Sequence, residues 1–167
     1  MAYASMSPVP AAAATLAVLL LAAAAPPQRP AGHAICRAAG RGLAGDFTSE
    51  FAGVSGEDHR SNLWIGRVSG PLSGALTVTL EPLGDLMATA NPVWNVRTRW
   101  TVAPAAPDDQ SLVADLYGTV NWKTGVLRLS GVVTEGCLKG YEAVARGRFA
   151  DLDGSGTLQI QPAVALR

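Results

Sequence analysis

The sequence predicts an all-β protein, a single antiparallel barrel of eight strands behind an N-terminal signal peptide. Three observations predict it. Beyond Gly45, apolar and polar residues alternate with a period of two, as in strands that bury one face. Gly118, Gly131 and Gly147 fall on the inward register of successive strands, where glycine permits the sharp bend that curls a sheet into a barrel. Finally, the chain opens on an uncharged apolar run, and its 167 residues allow one compact domain plus an appendage.

The appendage comes first. Residues 11–25 read "AAAATLAVLLLAAAA", shorter than the roughly 20 apolar residues a membrane-spanning helix needs and typical of a secretory core segment. The prolines of "PPQRPAGHA" then break the helix. Cleavage is expected near Ala24–Ala25 or after Ala34, and not directly before Pro26. The first ten residues carry no Lys or Arg, which runs against a signal peptide. Met6 is therefore an alternative start, and an uncleaved anchor the alternative to export. A lipoprotein reading of Cys36 fails on Ile35 and His33, which stand where that signal wants small and aliphatic residues. Residues 1–34 are thus expected to be the signal and processing region, 35–167 the barrel, and the destination secreted or periplasmic, with no stable membrane insertion after cleavage.

Thirteen Lys and Arg balance 13 Asp and Glu. The cations are scattered singly, which gives no support to a nucleic-acid or acidic-membrane surface. Cys36 and Cys137 are the only cysteines. In an oxidising compartment they are expected to form a disulfide closing a loop of about 100 residues, two independent thiols being the alternative.

Each strand follows from its own alternation. "DFTSEF" and "SNLWIGRV" come first, the latter leaving the register of Trp64 ambiguous. "GALTVTL" turns Leu76, Val78 and Leu80 inward, and "NVRTRWTV" does so for Val96, Thr98, Trp100 and Val102. "SLVADLYGTV" aligns Leu112, Ala114, Leu116, Gly118 and Val120; "VLRLSGVV" aligns Leu127, Leu129, Gly131 and Val133. "YEAVARGRF" aligns Tyr141, Ala143, Ala145, Gly147 and Phe149, and "TLQIQ" aligns Leu158 and Ile160. The spacing is that of an antiparallel meander. Between strands, residues 81–95 form the longest irregular connection, with room for a turn of helix. Residues 103–110 are a proline-broken loop, and 121–125 and 135–140 are short enough for hairpin turns. Small inward residues such as Ala143 and Ala145 either accommodate large neighbours or leave a cavity.

"DLDGSGTLQI", residues 151–160, imitates the start of an EF-hand. Asp151, Asp153, Ser155, Gly156 and Leu158 fit the loop, but its twelfth position, where a bidentate Glu belongs, is Pro162. The flanking segments alternate like strands. Asp-Gly and Ser-Gly are turn dipeptides, so a hairpin is expected and no metal. His59, in "GEDHR", has only sequence neighbours that point different ways, and a solvated turn suits it better than a metal or triad site. No nucleophile motif stands out, and the clean strands carry their acids outward. No catalytic residue and no cofactor is therefore assigned.

Trp64, Trp94, Trp100 and Trp122 are a large aromatic supply for a small domain. Trp64, Trp100, Tyr141 and Phe149 are the candidate lining of a pocket for a small hydrophobic ligand. The competing reading makes them core filling and end plugs, with Trp94 and Trp122 at strand ends.

"VARGRFADLDGSGTLQI" resembles the closing hairpin of the allene oxide cyclase and dirigent type of barrel, and "GTVNWKTGVLRLSGVV" is similar to the hairpin before it. The likeness covers the last third of the chain and rests on the spacing of glycines and aromatics. It implies a calycin-like, eight-stranded antiparallel barrel, often trimeric, with a pocket in its mouth; relatives of that type guide cyclisation or coupling of reactive small molecules. No pocket motif of the family matches, so no catalytic residue carries over. The leading expectation is a module that binds a small apolar ligand or a partner. The alternatives are a cyclase- or isomerase-like enzyme using the same pocket, and a structural envelope-associated domain. Binder and enzyme both require a cavity open to solvent, the enzyme also a buried polar or ionisable group at its floor. The structural domain requires a solid interior.

Overall fold

The structure, a computed structural model, describes residues 36, 40, 42–55, 60–84, 92–104 and 110–163. The leader, its cleavage points, His59 and the helical turn expected within 81–95 lie outside them. Eight strands follow one another: β1 (Leu43–Ser55), β2 (Ser61–Ser69), β3 (Gly74–Pro82), β4 (Val93–Ala103), β5 (Leu112–Asn121), β6 (Val126–Glu135), β7 (Glu142–Ala150) and β8 (Asp153–Gln161). Each pairs antiparallel with the next, and β8 pairs back onto β1 from Leu43↔Ile160 to Glu50↔Asp153, closing the barrel. Closure removes the unpaired edges that an open sheet would expose.

The alternation read from the sequence is the alternation of burial. Leu76, Val78, Val96, Trp100, Leu116, Leu127, Ala143, Leu158 and Ile160 point inward and are all but sealed from solvent. Asp46, Arg97, Arg99, Arg128 and Arg146 stand outside, exposed. An apolar interior under a charged wall is the reverse of a membrane barrel's pattern, whose outer band must be greasy. Trp64, ambiguous in the sequence, turns inward. Its strand is harder to read because β1 opposite shifts register between Phe51 and Gly53, a bulge that re-aims the side chains beyond it.

The inward glycines are where neighbouring backbones press together. A Cβ at Gly118 would stand 2.0 Å from the Arg128 carbonyl oxygen, one at Gly131 2.0 Å from that of Asp115, and one at Gly147 2.2 Å from that of Ser155. No larger residue fits without parting the strands. Gly66 and Gly156 are as tight and complete a set of which the sequence suggested three.

The last hairpin forms as expected, but its reversal falls elsewhere. The two-residue turn is Asp151–Leu152, with φ of +51° and +71°, the double left-handed geometry that suits a tight hairpin. Asp153–Gly154 and Ser155–Gly156 belong to β8. Gly154 is needed there for clearance: a Cβ would come 2.3 Å from the Phe149 ring and 2.4 Å from Ser49 Oγ.

The two ends of the barrel differ. At one, Leu72 and Leu138 are buried plugs, and Cys36 is bonded to Cys137 in the β6–β7 connection, with Cα atoms 5.8 Å apart. We call this the bridged end. At the other, where Ser55, Pro82, Asn121 and Ala150 finish their strands, the aromatic side chains collect. This is the aromatic end.

Candidate ligand-binding site

Five rings run from the aromatic end to the waist of the barrel. Phe51, near the end of β1, meets Trp64 edge-on at 5.4 Å. Trp64 stacks on Phe149 of β7, with centroids 4.4 Å apart and planes 10° from parallel. Phe149 touches Phe47 at 6.4 Å, and Phe47 meets Trp100 edge-on at 5.0 Å. Both edge-to-face and stacked pairs add to the burial of the rings themselves. Trp64 and Phe149 are 85 residues apart in the chain (149 minus 64) and meet because β1 and β8 pair between their strands.

Across the mouth, Trp94 at the start of β4 lies against Trp122 of the β5–β6 turn, at 6.3 Å with planes tilted by 32°. Asn121 shapes that turn by accepting from the Lys123 and Thr124 amides through its side-chain oxygen. Lys123 Nζ in turn sits 5.5 Å from the Trp122 ring centre. Between the two aromatic pairs lies a depression of about 170 Å³, lined by Asn62, Leu80, Val120, Asp151 and Leu152 together with Trp64, Trp94, Trp122 and Phe149. Its rim is open and mixes apolar with polar side chains: Trp122 is 52% and Leu152 64% exposed, beside exposed Asp151. Leu152 also holds its left-handed backbone without being glycine, a conformation that costs on the order of 1–2 kcal/mol.

Polar groups at this end are unevenly served. Trp100 Nε1 donates to Thr98 Oγ1 at 3.0 Å, and that hydroxyl donates onward to the Leu116 carbonyl at 3.3 Å. Trp64 Nε1, Trp94 Nε1 and Ser49 Oγ are equally shut away from water yet find no hydrogen-bond partner among the described residues.

Of the four side chains read as a pocket lining, the structure brings Trp64 and Phe149 into one wall. Trp100 lies deeper, fully buried. Tyr141 precedes β7 at the bridged end, half-buried against the core, and does not join them. Trp94, Trp122, Phe51 and Leu152 complete the mouth. Their signal in the sequence was their place at strand ends, which names no particular end. The buried polar residues described are Ser49 and Thr98, and no ionisable side chain is buried with them. No three His, Cys, Asp or Glu side chains among the described residues converge to hold a metal.

The outer wall carries its own grooves, one of them beside Arg97, Arg99 and Tyr117. There Arg97 pairs with Glu81 at 2.8 Å, while Arg99 pairs with Asp115 and Glu135. These exposed charges satisfy one another and contribute little beyond solubility. Set against known proteins, the chain matches no family model, no curated protein and no solved structure.

Proposed function

We infer that the protein is an exported barrel that binds a small apolar ligand in its aromatic mouth. The observation that carries this is the depression of about 170 Å³ between the Trp64–Phe149 stack and the Trp94–Trp122 pair. Apolar cavities near 150 Å³ accept a benzene-sized guest, so the site suits a one- or two-ring compound. The mouth opens to solvent, and exposed Trp122 and Leu152 extend its apolar surface outward. Export is supported by the Cys36–Cys137 bridge, since disulfides persist in oxidising compartments.

A structural domain is the second reading, favoured by a waist filled by Phe47, Trp100, Leu116 and Leu158. For a cyclase or isomerase at the mouth, Asp151 is the ionisable side chain among the described lining residues, while the buried polar side chains described, Ser49 and Thr98, offer hydroxyls. Kinship with allene oxide cyclase and dirigent barrels remains part of the proposal. The eight-stranded meander is the fold such kinship implies.

Native mass spectrometry of protein from its own host tests the reading. Retention of an apolar compound, lost in Trp94→Ala, supports it. The same spectrum reads the oligomeric state, a trimer under the proposed kinship. Protein that carries no compound and takes up no aromatic probe in tryptophan fluorescence titrations leaves the structural reading standing.

A further inference from the structure

We propose that the outer wall at β5–β7 is a contact between two copies of this chain, related by a two-fold axis. Three rows of outward side chains cross these strands by their register. The middle row is Tyr117, Ser130 and Val144. On one side of it lie Asp115, Val132 and Glu142; on the other lie Thr119, Arg128 and Arg146. The face is thus acidic along one border and basic along the other, with apolar side chains between. Tyr117 is 52% and Val132 50% exposed. Beside Tyr117 the wall dips into an open depression that Arg128, Glu142 and Arg146 border.

The charges of this face are not spent within the sheet. On β3–β5 the wall sets opposite charges together, Glu81 with Arg97 and Asp115 with Arg99. On β6 and β7 it sets Arg128 directly opposite Arg146, and like charges so placed are destabilising. Among the described residues neither guanidinium has an ion-pair partner. On the acidic border, Arg99 is shared between Asp115 and Glu135. Glu142 accepts from the Gln161 side-chain amide at 3.2 Å and meets no cation among the described residues. A polyanion laid over the arginines would run onto these acids two rows further on. The fitting partner carries both signs in the reverse order, and the chain itself supplies it. Glu142 and Arg146 stand two residues either side of Val144 on β7. A two-fold axis lying along the middle row therefore brings Arg146 of one copy onto Glu142 of the other, and the reverse, while Tyr117 and Val132 are covered. Such a contact closes on itself and ends at two copies. Three short rows lie at the low end of specific interfaces, so the dimer should dissociate on dilution.

Sedimentation velocity of the disulfide-bonded protein reads the contact, with the dimer growing as concentration rises and receding in molar salt. Arg146→Glu sets carboxylate against carboxylate twice across the axis, and Glu142→Arg sets guanidinium against guanidinium. Each should weaken the dimer about tenfold or more. Mixing the two variants in equal amounts should restore a dimer made of one copy of each, as native mass spectrometry will show. Glu142→Arg/Arg146→Glu, which exchanges the charges within one chain, should dimerise like the parent. Neither restoration can come from a variant that fails to fold. A parent that stays monomeric up to about 1 mM overturns the proposal. So does a trimer, the assembly that kinship with dirigent-type barrels implies, because this face closes at two copies. A dimer that tolerates both single reversals lies on another face and overturns it as well. Single variants that keep the parent's strand signal in circular dichroism yet remain monomeric when mixed overturn the two-fold register.

Discussion

Replacing both Cys36 and Cys137 with alanine removes the bridge that ties the segment before β1 to the β6–β7 connection. The cysteines are 101 residues apart, so the bridge shortens an unfolded chain across most of the barrel. For a loop of that length the chain-entropy relation gives about 4.7 kcal/mol at 25 °C. Removal of native disulfides from small secreted domains costs roughly 2–5 kcal/mol, so the full entropic value is the upper bound. In a domain of this size each kcal/mol moves Tm by about 3 °C, and the expected fall is roughly 6–15 °C. The double substitution is preferred to reduction because it leaves no thiol to oxidise or reshuffle during heating.

Thermal unfolding followed by circular dichroism reads the effect, with strand signal at low temperature showing that the barrel still forms. Leu138, next to Cys137, is 1% exposed and belongs to the core cluster, so the bridged end should stay plugged. A variant melting within about 2 °C of the parent would refute the reasoning, for the bridge would then constrain nothing that unfolding releases. A fall far beyond 15 °C would point instead to packing lost at the bridged end.

Gly131→Ala sets a Cβ 2.0 Å from the Asp115 carbonyl and 2.9 Å from the Leu116 Cα, and should cost about 3 kcal/mol, read as an earlier denaturant midpoint with the same slope. Asp151→Asn/Leu152→Gly puts residues suited to a left-handed turn at φ +51° and +71° and should raise stability by about 1 kcal/mol in a thermal melt. The same change should weaken binding of an aromatic probe by trimming the rim of the mouth. Arg99→Ala loses two exposed ion pairs and should cost less than about 1 kcal/mol, with the difference vanishing in molar salt. Expressed from Met1 in an exporting host, the protein should be recovered cleaved near Ala24–Ala25 or after Ala34 with Cys36 retained, as intact mass will show; a mass that still includes Met1–Ala24 refutes it.

Strands from β3 to β8 were legible because each buries one face, and a period of two survives any detail of packing. β2 was read as a strand but without the register of Trp64, since the bulge at Phe51–Gly53 opposite breaks the regularity that registers depend on. The last turn was misplaced for an instructive reason. Asp153–Gly154 has the better turn chemistry, yet Gly154 pairs with Ser49 of β1 and Phe149 of β7, and the turn falls to Asp151–Leu152 at the cost of backbone strain. Local preference gave way to packing. Alternation told that Trp100, Tyr141 and Phe149 face inward but not how far along the barrel each lies, so residues from opposite ends were grouped as one pocket. Pairing between β1 and β8 sets those depths, and no stretch of sequence displays it.

The difference between the ends is what gives the mouth a meaning beyond packing. A barrel of eight strands is just wide enough for side chains to fill, and this one fills its waist and plugs the bridged end with Leu72 and Leu138. The same chain had the means to finish the aromatic end likewise. It instead keeps a leucine in a strained, exposed turn, leaves Trp122 half in water, and strands two indole donors out of reach of protein and solvent. Each departure lowers stability, by on the order of 1–3 kcal/mol where a buried donor goes unmet. One such defect is ordinary in a protein. The strained Leu152 and the half-exposed Trp122 both line the one depression, and they are the apolar surface that a bound guest would cover.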